Sequence, residues 1–390
     1  MRKVGGSSYD LHPMTIPQLS NDPGQQALYT LIHRSIANAG GWLGFDHFMA
    51  LALYAPGMGY YANSLRKFGL TPESGSDFAT APEMSKHFGR TLAHQVAEAL
   101  QVTGTDEVWE FGAGSGALAL QLLDSLGDSV KRYTIVDLSG SLRERQQETL
   151  KAHAHKVQWV DALPEQLSGV VVGNEVLDAM PVQLLVRKSG VWHERGVVWN
   201  ADAPSPLQWE DRVTDLRPPM DVPGEHDYLT EIHSQAEAFV ATLADRFKAG
   251  EAATGKGGAA FLIDYGFPES EYFHPQRSMG TLMCHQLHKA DSEPLADVGR
   301  KDITAHVNFT GVALAAQDAG LNVLGYTTQA HFLINCGLLP PLVDAPMDEK
   351  SMAQKLITEH EMGELFKVVA FGTTEWAPMG FAQGDRTYAL

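Results

Sequence analysis

Cysteine is scarce in this chain. Among 390 residues only Cys284 and Cys336 occur, and neither lies in a Cys-x-x-Cys or Cys/His spacing. Such isolated cysteines argue against a disulfide framework and against a zinc site built from clustered Cys and His ligands. His285 and His288 lack a carboxylate in a recognised ligand pattern, so we expect them to be surface or structural residues. We predict a cytoplasmic protein that binds no metal.

Long apolar runs and basic patches are also missing. No segment reaches the length of a membrane span, and residues 1–18 have neither the apolar centre of a signal sequence nor the arginines of a transit peptide. The 29 Lys and Arg residues face 47 Asp and Glu residues, which gives a net charge of −18. This charge disfavours nucleic-acid binding. It suits a cationic partner such as an arginine-bearing peptide, or it serves solubility alone.

The most informative feature that is present is a glycine loop. The segment 108–111 predicts a strand and 117–123 a helix, as in the nucleotide-binding turn of an α/β sheet. The third glycine comes one residue too early for a dinucleotide fingerprint, which disfavours a dehydrogenase. A carboxylate just before the loop would repel a pyrophosphate and suit the positive charges of S-adenosyl-L-methionine. A plain tight turn is the alternative. The predicted cofactor-binding residues here are Glu110, Gly112, Ala113, Gly114 and Gly116.

Polar residues follow three further predicted strands. Asp137 comes about 20 residues after the loop, where an acidic side chain binds ribose hydroxyls in related turns. We therefore predict that Asp137 binds the ribose hydroxyls and that Asp161 accepts from the adenine amino group, with Leu138, Ala162 and Asn174 as further cofactor-binding residues. Each acid, taken alone, also fits a helix cap or a solvated turn. Together the strands predict an α/β fold with a parallel sheet.

Several motifs resemble the MidA family of class I methyltransferases. They lie at 75–85, 110–116, 173–182, 263–266 and 302–309, and the resemblance extends from about Ala39 to Gly372. It implies a Rossmann-like seven-stranded sheet with an N-terminal helical extension and insertions that form a second lobe. It also implies S-adenosyl-L-methionine as cofactor and methylation of a protein arginine. Mitochondrial members of this family are complex I assembly factors that dimethylate an arginine symmetrically.

Glu175 and Asp178 are the predicted catalytic carboxylates. Spaced three apart, they would share one face if the chain turned helical, and a pair of carboxylates can hold a guanidinium. The alternative is that Asn174 and Glu175 cap a helix and Asp178 is solvated. This motif differs from the usual one of arginine methyltransferases.

Three further positions are candidates for the site. His306 could accept a proton, whereas Asn308, which alternation places on the same face, is better explained as the cap of a helix beginning at Phe309. Asp264 is a candidate for the lining of the cleft. Thr80 is a candidate helix cap with Glu83 in a capping box, and the resemblance suggests that its loop covers the cofactor.

The predicted organisation has five parts: a poorly ordered 1–25, a helical extension or lid at 26–84, a cofactor-binding core at 85–181, an insertion at 182–257 and the remaining sheet at 258–390. The insertion is predicted to hold a hairpin at 183–199, a proline-rich loop at 201–224 and a helix at 227–249. Two other functions stay open: a methyltransferase acting on a small molecule or another side chain, and a non-catalytic assembly factor that binds a partner protein. The sequence does not indicate an oligomeric state.

Overall fold

The structure is a computed structural model that describes residues 22–63, 80–137 and 140–390. Its helices are α1 (Pro23–Asn38), α2 (Phe45–Tyr54), α3 (Ala81–Met84), α4 (Lys86–Thr103), α5 (Ala117–Leu126), α6 (Gly140–Thr149), α7 (Ser234–Thr254), α8 (Glu269–Tyr272), α9 (Phe309–Asp318), α10 (Gln329–Asn335), α11 (Leu339–Leu342) and α12 (Met347–Lys355). Its strands are β1 (Leu43–Gly44), β2 (Glu107–Phe111), β3 (Arg132–Val136), β4 (Val157–Val160), β5 (Gly169–Asn174), β6 (Gln183–Lys188), β7 (Val191–Trp199), β8 (Leu207–Val213), β9 (Tyr228–Ile232), β10 (Gly258–Phe267), β11 (Met283–Gln286), β12 (Lys289–Asp291), β13 (Asp302–Thr304), β14 (Val307–Asn308), β15 (Asn322–Thr328) and β16 (Phe366–Gly372).

The larger sheet has the strand order β4–β3–β2–β5–β10–β16–β15. Five of these strands, β2, β3, β4, β5 and β10, run parallel, and β16 lies antiparallel between β10 and β15. The two-residue β14 pairs with the end of β10. The predicted Rossmann-like sheet of seven main strands is therefore confirmed.

Helices cover both faces of this sheet because its strands are apolar on both sides. Val108 and Val170 pack into a core that contains side chains of α4 and α5. Their neighbours Trp109 and Val171 face the other way, into a core formed with α7 and α9. Continuous apolar runs of this kind are typical of a doubly wound parallel sheet. None of the described helices is long and apolar enough to cross a bilayer.

A second lobe carries an antiparallel sheet of order β1–β7–β6–β9, with β8 paired to β7, and a smaller sheet of order β12–β11–β13. Phe45 and Phe48 of α2 share one buried core with Leu184 and Val197 of the β6–β7 hairpin. Ile303 of β13 belongs to the same core. The N-terminal extension and the insertions therefore pack together, as predicted for a second lobe.

Several predicted elements differ from the structure. The helix predicted over 227–249 is wrong at its start, because residues 228–232 form β9, which pairs with β6, and α7 begins only at Ser234. The loop predicted over 201–224 contains β8. Helix α1 begins at Pro23, within the segment predicted to be poorly ordered, and Asp22 caps it through the N–H of Gly24. The predicted hairpin at 183–199 is confirmed.

Candidate functional site

A cavity of about 1200 Å³ lies at the carboxyl ends of the parallel strands and reaches the second lobe. Ligands of open α/β sheets bind at this edge. Its lining includes most of the predicted site residues, namely Thr80, Glu110, Gly112, Ala113, Gly114, Asp137, Asp161, Asn174, Glu175, Asp178 and His306. Gly116 and Ala162 are not among the lining residues, and Leu138 falls outside the described residues.

The glycine loop joins β2 to α5 in a conformation that favours glycine. Gly112, Gly114 and Gly116 have φ values of 62°, 52° and 84°, a region that side chains with a Cβ rarely adopt. A Cβ on Gly112 would lie 3.2 Å from Cγ2 of Val176. Gly116 is the N-cap of α5 and so shapes the helix start. Backbone conformation and close packing thus explain the glycines, and Gly112 and Gly114 line the cavity.

Glu110 lies buried at the end of β2, next to this loop. The Tyr133 hydroxyl donates to its Oε2 at 2.6 Å. Burial raises the pKa of Glu110 to about 8, although the Tyr133 hydrogen bond opposes the rise. The carboxyl is therefore held in one position and is ready to ionise beside a bound cation.

Helix α6 holds the acid that follows β3 against the glycine loop. Gln146 donates to Oδ2 of Asp137 at 2.7 Å and to the carbonyl of Gly114 at 3.1 Å. Arg143 donates to the Asp137 carbonyl at 3.2 Å and also to the exposed Asp161 carboxylate. These bonds fix Asp137 beside the glycine loop.

The capping-box prediction for residue 80 is wrong. Thr80 occupies the N-cap position of α3, but its side chain makes no capping hydrogen bond. Glu83 instead lies 4.0 Å from the guanidinium of Arg145. Pro82 at the second helical position has no N–H, so one of the two usual targets of a capping side chain is missing, and Thr80 lines the cavity instead.

The other end of the cavity is built on the turn after β5. Glu175 has a φ of 55° and residues 175–180 form no helix, so the prediction of a shared helical face is wrong. Asp264 Oδ2 accepts hydrogen bonds from the backbone N–H groups of Val176, Leu177 and Asp178 at 3.1, 2.9 and 3.2 Å. One carboxylate thus accepts from three consecutive N–H groups, which would be unpaired if the first turn of a helix began here.

Two sequence-based assignments change in this region. Asp264 is fully buried and does not line the cavity, so its predicted place in the cleft is wrong; it shapes the turn from behind. His285, predicted to be a surface or structural residue, lines the cavity. Among the described residues, no group of three His, Cys, Asp or Glu side chains is arranged to hold a metal ion.

The turn brings the two predicted catalytic carboxylates into one wall. Tyr265 donates to Asp178 Oδ2 at 2.5 Å, and Asn174 donates to Glu175 Oε1 at 3.0 Å. Asp178 Oδ1 and Asn174 Oδ1 are buried and have no hydrogen-bond partner among the described residues. Unpaired buried acceptors are rare in folded proteins, so this wall is an unusual polar feature of the fold.

The carboxyl groups of this wall have no basic counterpart among the described lining residues. Burial raises the pKa of Glu175 to about 8, helped by repulsion from Asp178, and burial raises the pKa of Asp178 to about 6. Among the described residues, the lining contains no lysine or arginine. Its carboxyl side chains are Glu83, Glu110, Asp137, Asp161, Glu175, Asp178 and Asp302. Such a cavity favours a cationic occupant.

His306 lines the same cavity next to Tyr265 as a neutral imidazole. Its ring stacks on Phe267 at 5.2 Å with an interplanar angle of 6°, and meets the Tyr265 ring edge-on at 5.1 Å. Burial, with a smaller contribution from the charge of Arg277, lowers the pKa of His306 to about 4. Asn308, by contrast, caps α9 by accepting from the N–H of Gly311, as favoured from the sequence.

The buried carboxyls predict that the unliganded protein loses stability as the pH rises. Glu110 and Glu175 have pKa values of about 8 against an ordinary 4.5, and Asp178 about 6 against 3.8. At a pH between the ordinary and the raised pKa of a group, the folded chain binds more protons than the unfolded chain. The stability that the protonated group contributes is therefore fully present below the ordinary pKa and is lost as the pH rises through the raised pKa. The melting temperature should therefore fall between about pH 5 and pH 8.

The measurement is a series of thermal melts without ligand, and Glu175→Gln is the matched control. Because the amide does not titrate, the melting temperature of the variant should fall less than that of the wild type over the same pH range. A wild-type melting temperature that stays level or rises from about pH 5 to pH 8 would contradict the raised pKa values.

Comparisons with known proteins show what the chain is similar to. Residues 91–327 match the model of a family described as "Putative S-adenosyl-L-methionine-dependent methyltransferase". A crystal structure of a Burkholderia thailandensis protein bound to S-adenosyl-homocysteine is 46% identical to this chain, with a TM-score of 0.88. The match covers 95% of this chain and 99% of that one. A native crystal structure of an uncharacterized protein from the same organism is 43% identical at the same coverage, with a TM-score of 0.83.

More distant relatives have names that include an activity. The mitochondrial protein arginine methyltransferase NDUFAF7 homolog of Caenorhabditis elegans is 25% identical over 386 residues, which covers 87% of each chain. Protein arginine methyltransferase NDUFAF7 of Danio rerio, also mitochondrial, is 25% identical over 358 residues, covering 83% of this chain and 80% of its own.

Proposed function

Because this chain belongs to the family of S-adenosyl-L-methionine-dependent methyltransferases, we propose that it methylates arginine in a protein substrate and that the product is symmetric dimethylarginine. The observation that carries the proposal is the acidic end of the cavity, where Glu175 and Asp178 face a space with no lysine or arginine in its described lining. The arginine methyltransferases named among the relatives support the same acceptor.

The cofactor is S-adenosyl-L-methionine, as the family match and the S-adenosyl-homocysteine-bound relative show. When bound, it supplies an activated methyl group. In this chain the backbone of Gly112 and Gly114 would lie against it, Asp137 would accept from the ribose hydroxyls, and Asp161 would face the adenine. Glu110 would add negative charge beneath the loop.

Arginine needs orientation because its guanidinium stays protonated and delocalised. The Glu175 and Asp178 carboxylates would accept two of its N–H groups and hold its positive charge away from the attacking nitrogen. Tyr265 and Asp264 hold Asp178, and Asn174 donates to Glu175, before the substrate arrives, so little reorganisation is needed. His306 is the candidate acceptor for the proton that the nitrogen loses on methylation; its lowered pKa keeps it neutral at pH 7 but makes it a weak base.

The test is incubation of the purified protein with a cell lysate and isotopically labelled S-adenosyl-L-methionine, followed by amino-acid analysis of the labelled proteins. We expect label in the protein fraction as symmetric dimethylarginine. Label in lysine or in small molecules would overturn the arginine proposal. Binding of S-adenosyl-homocysteine without any labelled product would favour a non-catalytic partner-binding role instead.

A further inference from the structure

Two tyrosines of the N-terminal extension reach the acidic end of the cavity. Tyr54 is the last residue of α2, and Tyr61 lies in the turns that follow. Both line the cavity, and their rings stack with a centroid distance of 5.6 Å and an interplanar angle of 19°. Since neither residue belongs to the Rossmann-like core, the second lobe contributes its own aromatic surface to the site.

Both rings are held in place by their hydroxyl groups. The Tyr54 hydroxyl donates to the carbonyl of Ala179 at 2.8 Å, directly after Asp178. The Tyr61 hydroxyl donates to Oδ1 of Asp302 at 2.9 Å. The first bond ties Tyr54 to the turn that carries the predicted catalytic carboxylates, and the second ties Tyr61 to β13. Because the two rings cover one face of each other, they offer a ligand the remaining ring surface that lines the cavity, in a fixed orientation.

The rings lie in the field of carboxylates. Burial raises the pKa of both phenols, and Asp302 and Asp178 raise it further, so both tyrosines are neutral. Asp302 also raises the pKa of Glu175. The carboxylates and the rings are thus within electrostatic reach of one another around a single volume. A flat cation could contact the ring surface and pair with the carboxylates at the same time.

We propose that Tyr54 and Tyr61 form an aromatic subsite that binds the guanidinium of the acceptor arginine and makes this cavity prefer a guanidinium to an ammonium. The proposal rests on the proposed function and deepens it. A guanidinium is planar, weakly hydrated and stacks on aromatic rings, whereas an ammonium is a compact, strongly hydrated charge. Carboxylates alone attract both cations, whereas stacking on the rings strengthens binding of the planar guanidinium only.

The experiment titrates the full chain, saturated with S-adenosyl-homocysteine, with ethylguanidinium or propylammonium and measures binding by calorimetry. We expect the wild type to bind the guanidinium roughly tenfold more tightly than the ammonium. Tyr54→Leu and Tyr61→Leu should each remove most of that preference. Tyr54→Phe and Tyr61→Phe keep the rings and should retain more of it than the leucine variants.

The affinity for S-adenosyl-homocysteine checks that each variant is folded. If a leucine variant no longer binds S-adenosyl-homocysteine, the corresponding methionine variant is measured in its place. Equal affinity of the wild type for both cations, no saturable guanidinium binding, or leucine variants that discriminate like the wild type would overturn the subsite. Failure of the proposed function gives a different result: the wild type would still discriminate between the cations, but no methylarginine would form in the labelled lysate.

Discussion

Glu175→Gln and Asp178→Asn should each nearly abolish methyl transfer while cofactor binding is kept. Removing one partner of a desolvated charge pair costs roughly 2–5 kcal/mol, which corresponds to a loss of about 30-fold to several thousand-fold in kcat/KM. Affinity for S-adenosyl-homocysteine should change little, because Gly112, Gly114 and Asp137 are unaltered. The measurements are initial rates of transfer to protein arginine and calorimetric titration with S-adenosyl-homocysteine.

Two features separate this result from unfolding. Each amide oxygen can still accept the hydrogen bond that Asn174 or Tyr265 donates, and each substitution removes a carboxyl whose ionisation opposes folding. Both variants should therefore be at least as stable as the wild type at about pH 8. Glu107→Gln is the matched control, since Glu107 lies at the opposite end of β2 and pairs with Arg132. Turnover close to wild type in both site variants would contradict the guanidinium assignment.

The sheet and the glycine loop could be predicted because their signals are local. The signals are apolar runs, glycines at fixed spacing and an acid about 20 residues later, all of which can be read from short segments. The strands that end near Gly112 and Asp137 lie where these signals predict them. Residues 228–232 show the limit of that approach. Their sequence continues smoothly into a helical pattern, but pairing with β6 makes them a strand. Tertiary pairing overrides local propensity there.

The acidic wall was only partly predictable for the same reason. Glu175 and Asp178 are marked by their spacing, but their geometry depends on Asp264, which is 86 residues from Asp178 in the chain. Tyr54 and Tyr61 carry no local signal, because their place beside the wall arises from packing of the N-terminal extension onto the β6–β7 hairpin. Contacts between distant segments cannot be derived from one sequence by periodicity.

Asp264→Ala should destabilise the fold and inactivate the site together. The change leaves the N–H groups of Val176, Leu177 and Asp178 without an acceptor, and an unsatisfied buried donor costs about 1–3 kcal/mol. Even with partial relaxation, we expect a loss of several kcal/mol in the free energy of unfolding, measured by urea denaturation. Transfer should fall at least as far as in Glu175→Gln, because both carboxylates lose their orientation.

Asp264→Asn separates the role of the acceptor oxygen from that of the charge. Its amide oxygen can accept from the turn as Oδ2 does, but its NH₂ group would face the N–H of Tyr265, which now donates to Oδ1 at 2.9 Å. Burial and the charges of Asp178 and Glu175 raise the pKa of Asp264, so removing its charge also relieves repulsion. Stability should therefore lie between that of the wild type and that of the alanine variant, with part of the activity restored. If the alanine variant kept wild-type stability and turnover, the turn would be rigid without Asp264, and the positions of Glu175 and Asp178 would need another cause.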